Sequence, residues 1–335
     1  MRKILLIFLS FLFIFQLVAA TMRCSICRKK IRGRYMKAGG KIFCSKKCFA
    51  KTKPLCTACG KRNLNGGYKK NGKFYCSKKC VETTLPKCVL CNKPFRKGLI
   101  IKAAGGNKIY CGKCGSLPKC FACALPSASG THLKDGRFLG EKCAKTAIFS
   151  EAEGEKLFKQ IRATIANKLG QSTNHKIRFR LVDSKTLQKA SENYEPGMEM
   201  GLFKHNYTIK TSTKTSYSLL KGRQEKTRKY RTNERFTIYI LSGLPKQKFI
   251  EVCAHELGHD WMQANFPKIK VLKIKEGWAE YFATLVNKVY GQKDMNKRMD
   301  SNTNAVYGGG YRFVRDYAKK HGINGLMQYF ERLDK

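Results

Sequence analysis

In the stretch "VCAHELGHDW", residues 252–261, His255 and His259 stand four positions apart around Glu256. On a helix that spacing is about one turn, so both imidazoles leave one face and can grip a single metal ion, with Glu256 beside the open coordination position. A catalytic zinc needs a third protein donor. Glu276, in "IKEGWAEYFATLVNKVYG", comes seventeen residues after His259, room for the first helix to end near Phe266 and Pro267 and for a second to return. The pattern predicts His255, His259 and Glu276 as ligands and Glu256 as the base that deprotonates a water. Glu280, one turn beyond Glu276, is expected to orient a ligand histidine, the reverse assignment of the two glutamates being the alternative. An oxyanion requires a further donor, for which Tyr307, Tyr311 and His321 are the candidates. Cys253 has no base arranged for it and reads as a small buried side chain.

A second metal chemistry is written into the first half. Of sixteen cysteines, all but Cys253 lie between Cys24 and Cys143. C-x-x-C pairs begin at 24, 56, 88 and 120, a constant interval of 32 residues, the signature of a repeat. The first unit offers Cys24, Cys27, Cys44 and Cys48; the second Cys56, Cys59, Cys76 and Cys80; the third Cys88, Cys91, Cys111 and Cys114. Paired thiols on tight knuckles, with a hairpin between the pairs, suit a tetrahedral zinc site better than a disulfide framework. The fourth unit has Cys120, Cys123 and Cys143, with Leu139 or Gly140 where a cysteine is due and His132 as a weaker substitute. Phe43, Tyr75 and Tyr110 are expected to fill small hairpin cores. One catalytic and three or four structural Zn²⁺ are therefore expected.

The elements that must position the histidines follow the cysteines. Leu157, Phe158, Ile161, Ile165 and Leu169 recur at helical spacing; Ile177, Phe179 and Leu181, then Phe236, Ile238 and Ile240, alternate as strands do. The polar segment between the two strand signals reads as a strand with a basic loop. Leu244-Pro245 opens the histidine helix, and the strand "FTIYILSG" is expected to be an edge able to pair with a substrate backbone. Residues 1–20, "MRKILLIFLSFLFIFQLVAA", have the basic start, apolar run and small-residue end of a signal peptide, a membrane anchor being the alternative. The expected divisions are 1–20 signal peptide, 21–147 four LIM-like zinc-knuckle units, and 148–335 peptidase domain.

The formal charge of +46 favours polyanionic surfaces or acidic partners. The lysines are spread along both halves, and each four-thiolate zinc carries about −2 that the formal count omits. No stripe dedicated to reading nucleic acid stands out.

"AHELGHDW" followed by "KEGWAEY" resembles the plant organ-size-regulating, ubiquitin-activated LIM peptidases, the DA-one family. "CFAC" with "KDGRFLGEKC", "ILSGLP" and "AVYGGGYRF" are similar to that family's order of elements, from about Cys88 to the C-terminus. The resemblance implies an α+β, zincin-like metallopeptidase of gluzincin type preceded by LIM-like or zinc-ribbon modules. It also implies protein substrates and a ubiquitin-linked partner. The chain departs from the family in its seven-residue "FAKTKPL" linker, its three-cysteine fourth unit and its lack of an acidic-apolar ubiquitin-binding helix. The expectation is an exported, monomeric zinc endopeptidase, secreted, periplasmic or delivered into another cell. The alternative is a non-catalytic zinc-module adaptor or basic nucleic-acid binder.

Overall fold

A computed structural model of the chain describes residues 22–103, 106–191, 199–218 and 222–335. The expected export segment lies outside the described residues. By internal contacts the chain divides after Pro86 into two compact units. The first contains the first two cysteine units; the second contains the third, the fourth and everything that follows.

Every cysteine unit is built alike. The residue after the second cysteine of each knuckle (Arg28, Gly60, Asn92, Ala124) has a left-handed backbone with φ of 55–70°. Its N–H donates to the carbonyl of the knuckle's first cysteine, which closes the turn. A hairpin follows: Met36–Ala38 with Lys41–Phe43, Tyr68–Lys70 with Lys73–Tyr75, Gly98–Ala103 with Gly106–Cys111, and Gly130–His132 with Phe138–Gly140. In the first two units the "CSKKC" serines, Ser45 and Ser77, cap the closing turn by accepting from the N–H of Cys48 and Cys80. Phe43, Tyr75 and Tyr110 are buried at the centres of their units, and each such core is tiny.

The fourth unit has no separate core. Cys120, Ala122 and Leu139 join the main core of the C-terminal region, together with Ile148 and Phe249. Arg137 donates to the Ser242 carbonyl at 2.8 Å, and Asp135 accepts from the Ser184 N–H at 3.0 Å.

Beyond it, α1 (Glu151–Leu169) starts at the Ser150 cap, stops at Gly170 with φ 63°, and buries Leu157, Phe158, Ile161 and Ile165. Strand β1 (Ile177–Val182) and helix α2 (Ser184–Ala190) follow, then the long strands β2 (Gly201–Ser218) and β3 (Gly222–Leu241). The sheet order is β1-β3-β2, with β1 parallel and β2 antiparallel to β3. This corrects the edge-strand expectation. "FTIYIL" is the central strand, with Phe236–Leu241 paired to Ile177–Val182 on one side and Phe236–Ile240 paired to Gly201–His205 on the other. Both of its faces are shielded, as for a strand within a covered sheet: Ile238 and Ile240 are fully buried and Thr237, on the opposite face, is buried too. The edge beside the histidine helix is the start of β2.

Helix α3 (Lys246–Asn265) follows Pro245 at its N-cap and ends before Pro267. It runs through the core, buried on nearly every face, and only His255 and His259 break the buried run between Phe249 and Met262. Helix α4 (Leu272–Val289) packs across it, and α5 (Lys293–Asp300) and α6 (Tyr307–Leu333) complete a mixed α and β architecture. No helix among the described residues is long and apolar enough to cross a membrane.

Candidate metal centre

Gly258, between the two histidines, sets how closely α3 and α4 approach. A Cβ there would lie 2.9 Å from the Ala279 Cα and 3.2 Å from the Phe282 Cβ. The Trp278 indole N–H donates to the Gly258 carbonyl at 3.1 Å and fixes the same crossing. On the other side of α4, the backbone of Gly310 in α6 packs directly on Gly277. The turn that carries Glu276 is thus clamped between two glycine contacts.

That clamp delivers three ligand atoms to one point. His255 Nε2 and His259 Nε2 are 3.1 Å apart, and Glu276 Oε2 is 3.3 Å from the first and 3.4 Å from the second. Donors about 2.0–2.1 Å from a tetrahedral zinc are separated by roughly 3.3–3.4 Å, so the spacing suits one ion. The buried Oε2 of Glu276 has no hydrogen-bond partner. A buried carboxylate oxygen left unmatched beside two imidazoles is what a metal site leaves when its ion is not counted. Burial opposes ionisation of Glu276, but His259 and His255 outweigh it and hold its carboxyl well below the usual range. Burial likewise works against protonation of His255, yet Glu276, Glu280 and Glu256 outweigh it and raise the imidazole to about 9.

Glu256 stands apart from the three. It is buried on the same helix, and that burial raises its pKa; His255 and His259 pull it down, and a hydrogen bond from the Phe203 N–H also stabilises the carboxylate. Gly201 in β2 lies against it. A Cβ there would fall 2.7 Å from Glu256 Oε1 and 2.6 Å from Val252 Cγ1. Neither Gly201 nor Phe203 carries a sequence signal for this role.

Other expected groups divide. Glu280 Oε1 is 3.9 Å from His255 Nδ1, too far for a hydrogen bond but close enough to act through charge. Tyr311 does not fit oxyanion stabilisation, because its hydroxyl donates to Asp300 at 3.0 Å and burial pushes its pKa up to about 12. Tyr307 is exposed at the start of α6. The His321 ring packs on Tyr317, 4.5 Å between centroids. Cys253 is fully buried and its thiol is raised by that burial. Asp260 was not anticipated: next to His259 and 1% exposed, it accepts from Thr173 at 2.6 Å and meets His175 Nδ1 at 2.7 Å. It thereby ties the ligand helix to the α1–β1 connection. Its adjacency to His259 was the available hint.

The cysteines gather as Cys24, Cys27, Cys44 and Cys48; Cys56, Cys59, Cys76 and Cys80; Cys88, Cys91, Cys111 and Cys114; and the trio Cys120, Cys123 and Cys143. None is disulfide-bonded. Sulfur–sulfur separations such as Cys27–Cys44 at 3.6 Å, Cys76–Cys80 at 3.5 Å and Cys91–Cys111 at 3.9 Å far exceed the ~2.05 Å of a disulfide. They sit near the roughly 3.8 Å edge of a zinc–thiolate tetrahedron. His132 is exposed against Phe138 and joins no cluster.

The chain is similar to Protein DA1-related 1 of Arabidopsis thaliana, at 24% identity over 261 residues that cover 63% of this chain and 47% of that protein. It spans about half the length of that curated relative. No family model matches the chain. The relative and the four-thiol groups together fit LIM-like zinc modules followed by an α and β region.

Proposed function

We propose that the C-terminal region is a zinc-dependent endopeptidase of gluzincin type, served by zinc modules that recruit or restrain its protein substrate. The convergence of two imidazole Nε2 atoms and the Glu276 carboxylate at tetrahedral spacing, beside a buried, unliganded Glu256, carries this reading. His255, His259 and Glu276 would hold the zinc, which would supply Lewis acidity to polarise a scissile carbonyl and acidify a water.

The chain's own residues do the rest. Glu256, its pKa raised by burial toward the working range of a general base, accepts the attacking water's proton and returns it to the leaving amine nitrogen. The Phe203 N–H keeps that carboxylate aimed, and Gly201 leaves it room. The outer edge of β2 at Gly201–His205, which pairs with no strand among the described residues, offers backbone groups to an extended substrate. The ligand side chains are 11–17% exposed, so they are shielded but not sealed from solvent.

The test is cleavage of an unstructured protein by purified chain and by Glu256→Gln. Loss of cleavage with zinc content and fold intact supports the assignment; equal cleavage by the variant removes it.

A further inference from the structure

Strands β2 and β3 continue far past the three-stranded sheet. After a bulge opposite Tyr207, where Asn233 takes φ 55°, they run as a two-stranded ribbon from the Thr208–Thr232 pair to the Ser218–Gly222 pair. Strand β1 ends its pairing at Phe236, so both ribbon edges are unpaired among the described residues. A lone ribbon with solvent on both faces is marginal by itself, and its side chains bury nothing that would account for its length.

One directly opposed pair of the ribbon, Lys214 and Lys226, is like-charged and works against its stability. Lys214 lies directly opposite Lys226, Ser212 opposite Arg228, and Lys210 opposite Tyr230. Directly opposed residues share a face, so Lys210, Lys214, Lys226 and Arg228 project together. All four are exposed. The one described acid of the ribbon, Glu225, is on the other face and pairs with Arg223. Like charges directly opposed cost stability, and an anionic partner would relieve that cost.

We propose that this ribbon is a docking arm for an acidic, extended polypeptide, which it holds so that the same chain enters the site at Glu256. The inference rests on the peptidase reading above and names its substrate class. Continuity favours a polypeptide over a nucleic acid. The strand whose Gly201 and Phe203 touch Glu256 is the strand that becomes the ribbon edge. An extended peptide uses that row of backbone donors and acceptors, whereas a phosphate backbone has no use for its alternation. At one substrate residue per strand residue, Lys210 and Lys214 fall about seven to eleven residues from the position opposite Phe203.

The test uses the full chain with Glu256→Gln, zinc-loaded, and two labelled 24-residue peptides that differ only in a five-residue run of Glu or Gln. Anisotropy should show the Glu peptide bound about tenfold more tightly. A variant carrying Lys210→Glu, Lys214→Glu, Lys226→Glu and Arg228→Glu should abolish that preference. A control with the same charge change elsewhere, Lys156→Glu, Lys159→Glu, Lys168→Glu and Lys176→Glu on exposed sites, should keep it. With Glu256 restored, the acidic run should raise kcat/KM only in chains with the native ribbon. Equal binding of both peptides, equal loss in ribbon variant and control, or tighter ribbon-dependent binding of a 20-base-pair duplex than of the Glu peptide overturns the proposal. Absence of cleavage by every chain, with ribbon-dependent binding kept, would instead count against the peptidase reading alone.

Discussion

At the proposed zinc site the ion and a proton would compete for His255, and the surrounding carboxylates set the terms. In the metal-free protein the imidazole is raised from 6.5 to about 9, because the acidic side chains around it outweigh burial. To bind zinc it must lose that proton. At pH 7 this costs about two pH units, or about 3 kcal/mol and on the order of a hundredfold in apparent affinity, and the cost vanishes near pH 9. Metal-free stability moves the other way. A group whose folded pKa lies above its unfolded value contributes stability that is complete below about pH 6.5 and lost as pH rises through about 9; here it amounts to about 3 kcal/mol. Between pH 6.5 and 9 the metal-free region should therefore weaken while its zinc affinity grows, by one logarithmic unit per pH unit from His255. The assay is competition against a chelator of known pH dependence. It is run in parallel on the wild type and on a chain carrying His255→Ala and His259→Ala, so that the difference isolates this site from the cysteine sites. Denaturant melts of the two forms accompany it. A difference affinity that stays flat between pH 7 and 9 refutes the picture of an imidazolium held between carboxylates.

Glu276→Gln keeps the shape but loses the anionic donor, and should weaken the difference site beyond the ~10–100-fold typical of outer-shell changes, read as loss of one zinc equivalent on dialysis. Gly201→Ala places a methyl 2.7 Å from Glu256 Oε1 and forces the carboxylate to move; kcat should fall about a hundredfold, as a shift of about 1 Å can cause, with zinc content unchanged. Asp260→Ala strips a buried acceptor from Thr173 and His175 and should cost about 2–4 kcal/mol in a denaturant melt. Strong chelation should make the segment up to Pro86 protease-sensitive before the C-terminal region, because its two small cores, centred on Phe43 and Tyr75, cannot hold without metal.

What could be read in advance was whatever the sequence writes locally. The 32-residue cysteine interval shows in one dimension because each zinc unit is assembled from neighbours in the chain. The His255, Glu256 and His259 triplet and the return to Glu276 are legible because two helices and a turn place them. The position of "FTIYIL" was not, because an alternating apolar run serves a sheet centre as well as an edge. The choice depends on Ile177–Val182 and Gly201–His205, segments remote in sequence. The ribbon was legible only in part, as one strand with a basic loop: solvent lies on both faces, so no two-residue burial rhythm marks the second strand that pairs with "TSTKTSYS". Tyr311 failed as a donor for a similar reason, since nothing near it in sequence shows that Asp300 takes its hydroxyl.

The incomplete fourth cysteine unit becomes intelligible from its packing. In the first three units the metal must organise a hairpin around one aromatic ring, so every thiol matters to folding. In the fourth, Leu139, Ala122 and Cys120 are already part of the core that includes Phe249 of the ligand helix, and Arg137 and Asp135 bind it to Ser242 and Ser184. A Cβ at Gly140 would meet Ser127 Cβ at 3.0 Å and Cys120 Cβ at 3.2 Å, so the side chain that would carry a fourth thiol no longer has free space. Apolar burial has taken over the work that zinc does elsewhere. The unit is then better described as the first layer of the C-terminal region than as the last of a string of independent modules, and the positions of Ser242 and the start of α3 depend on it.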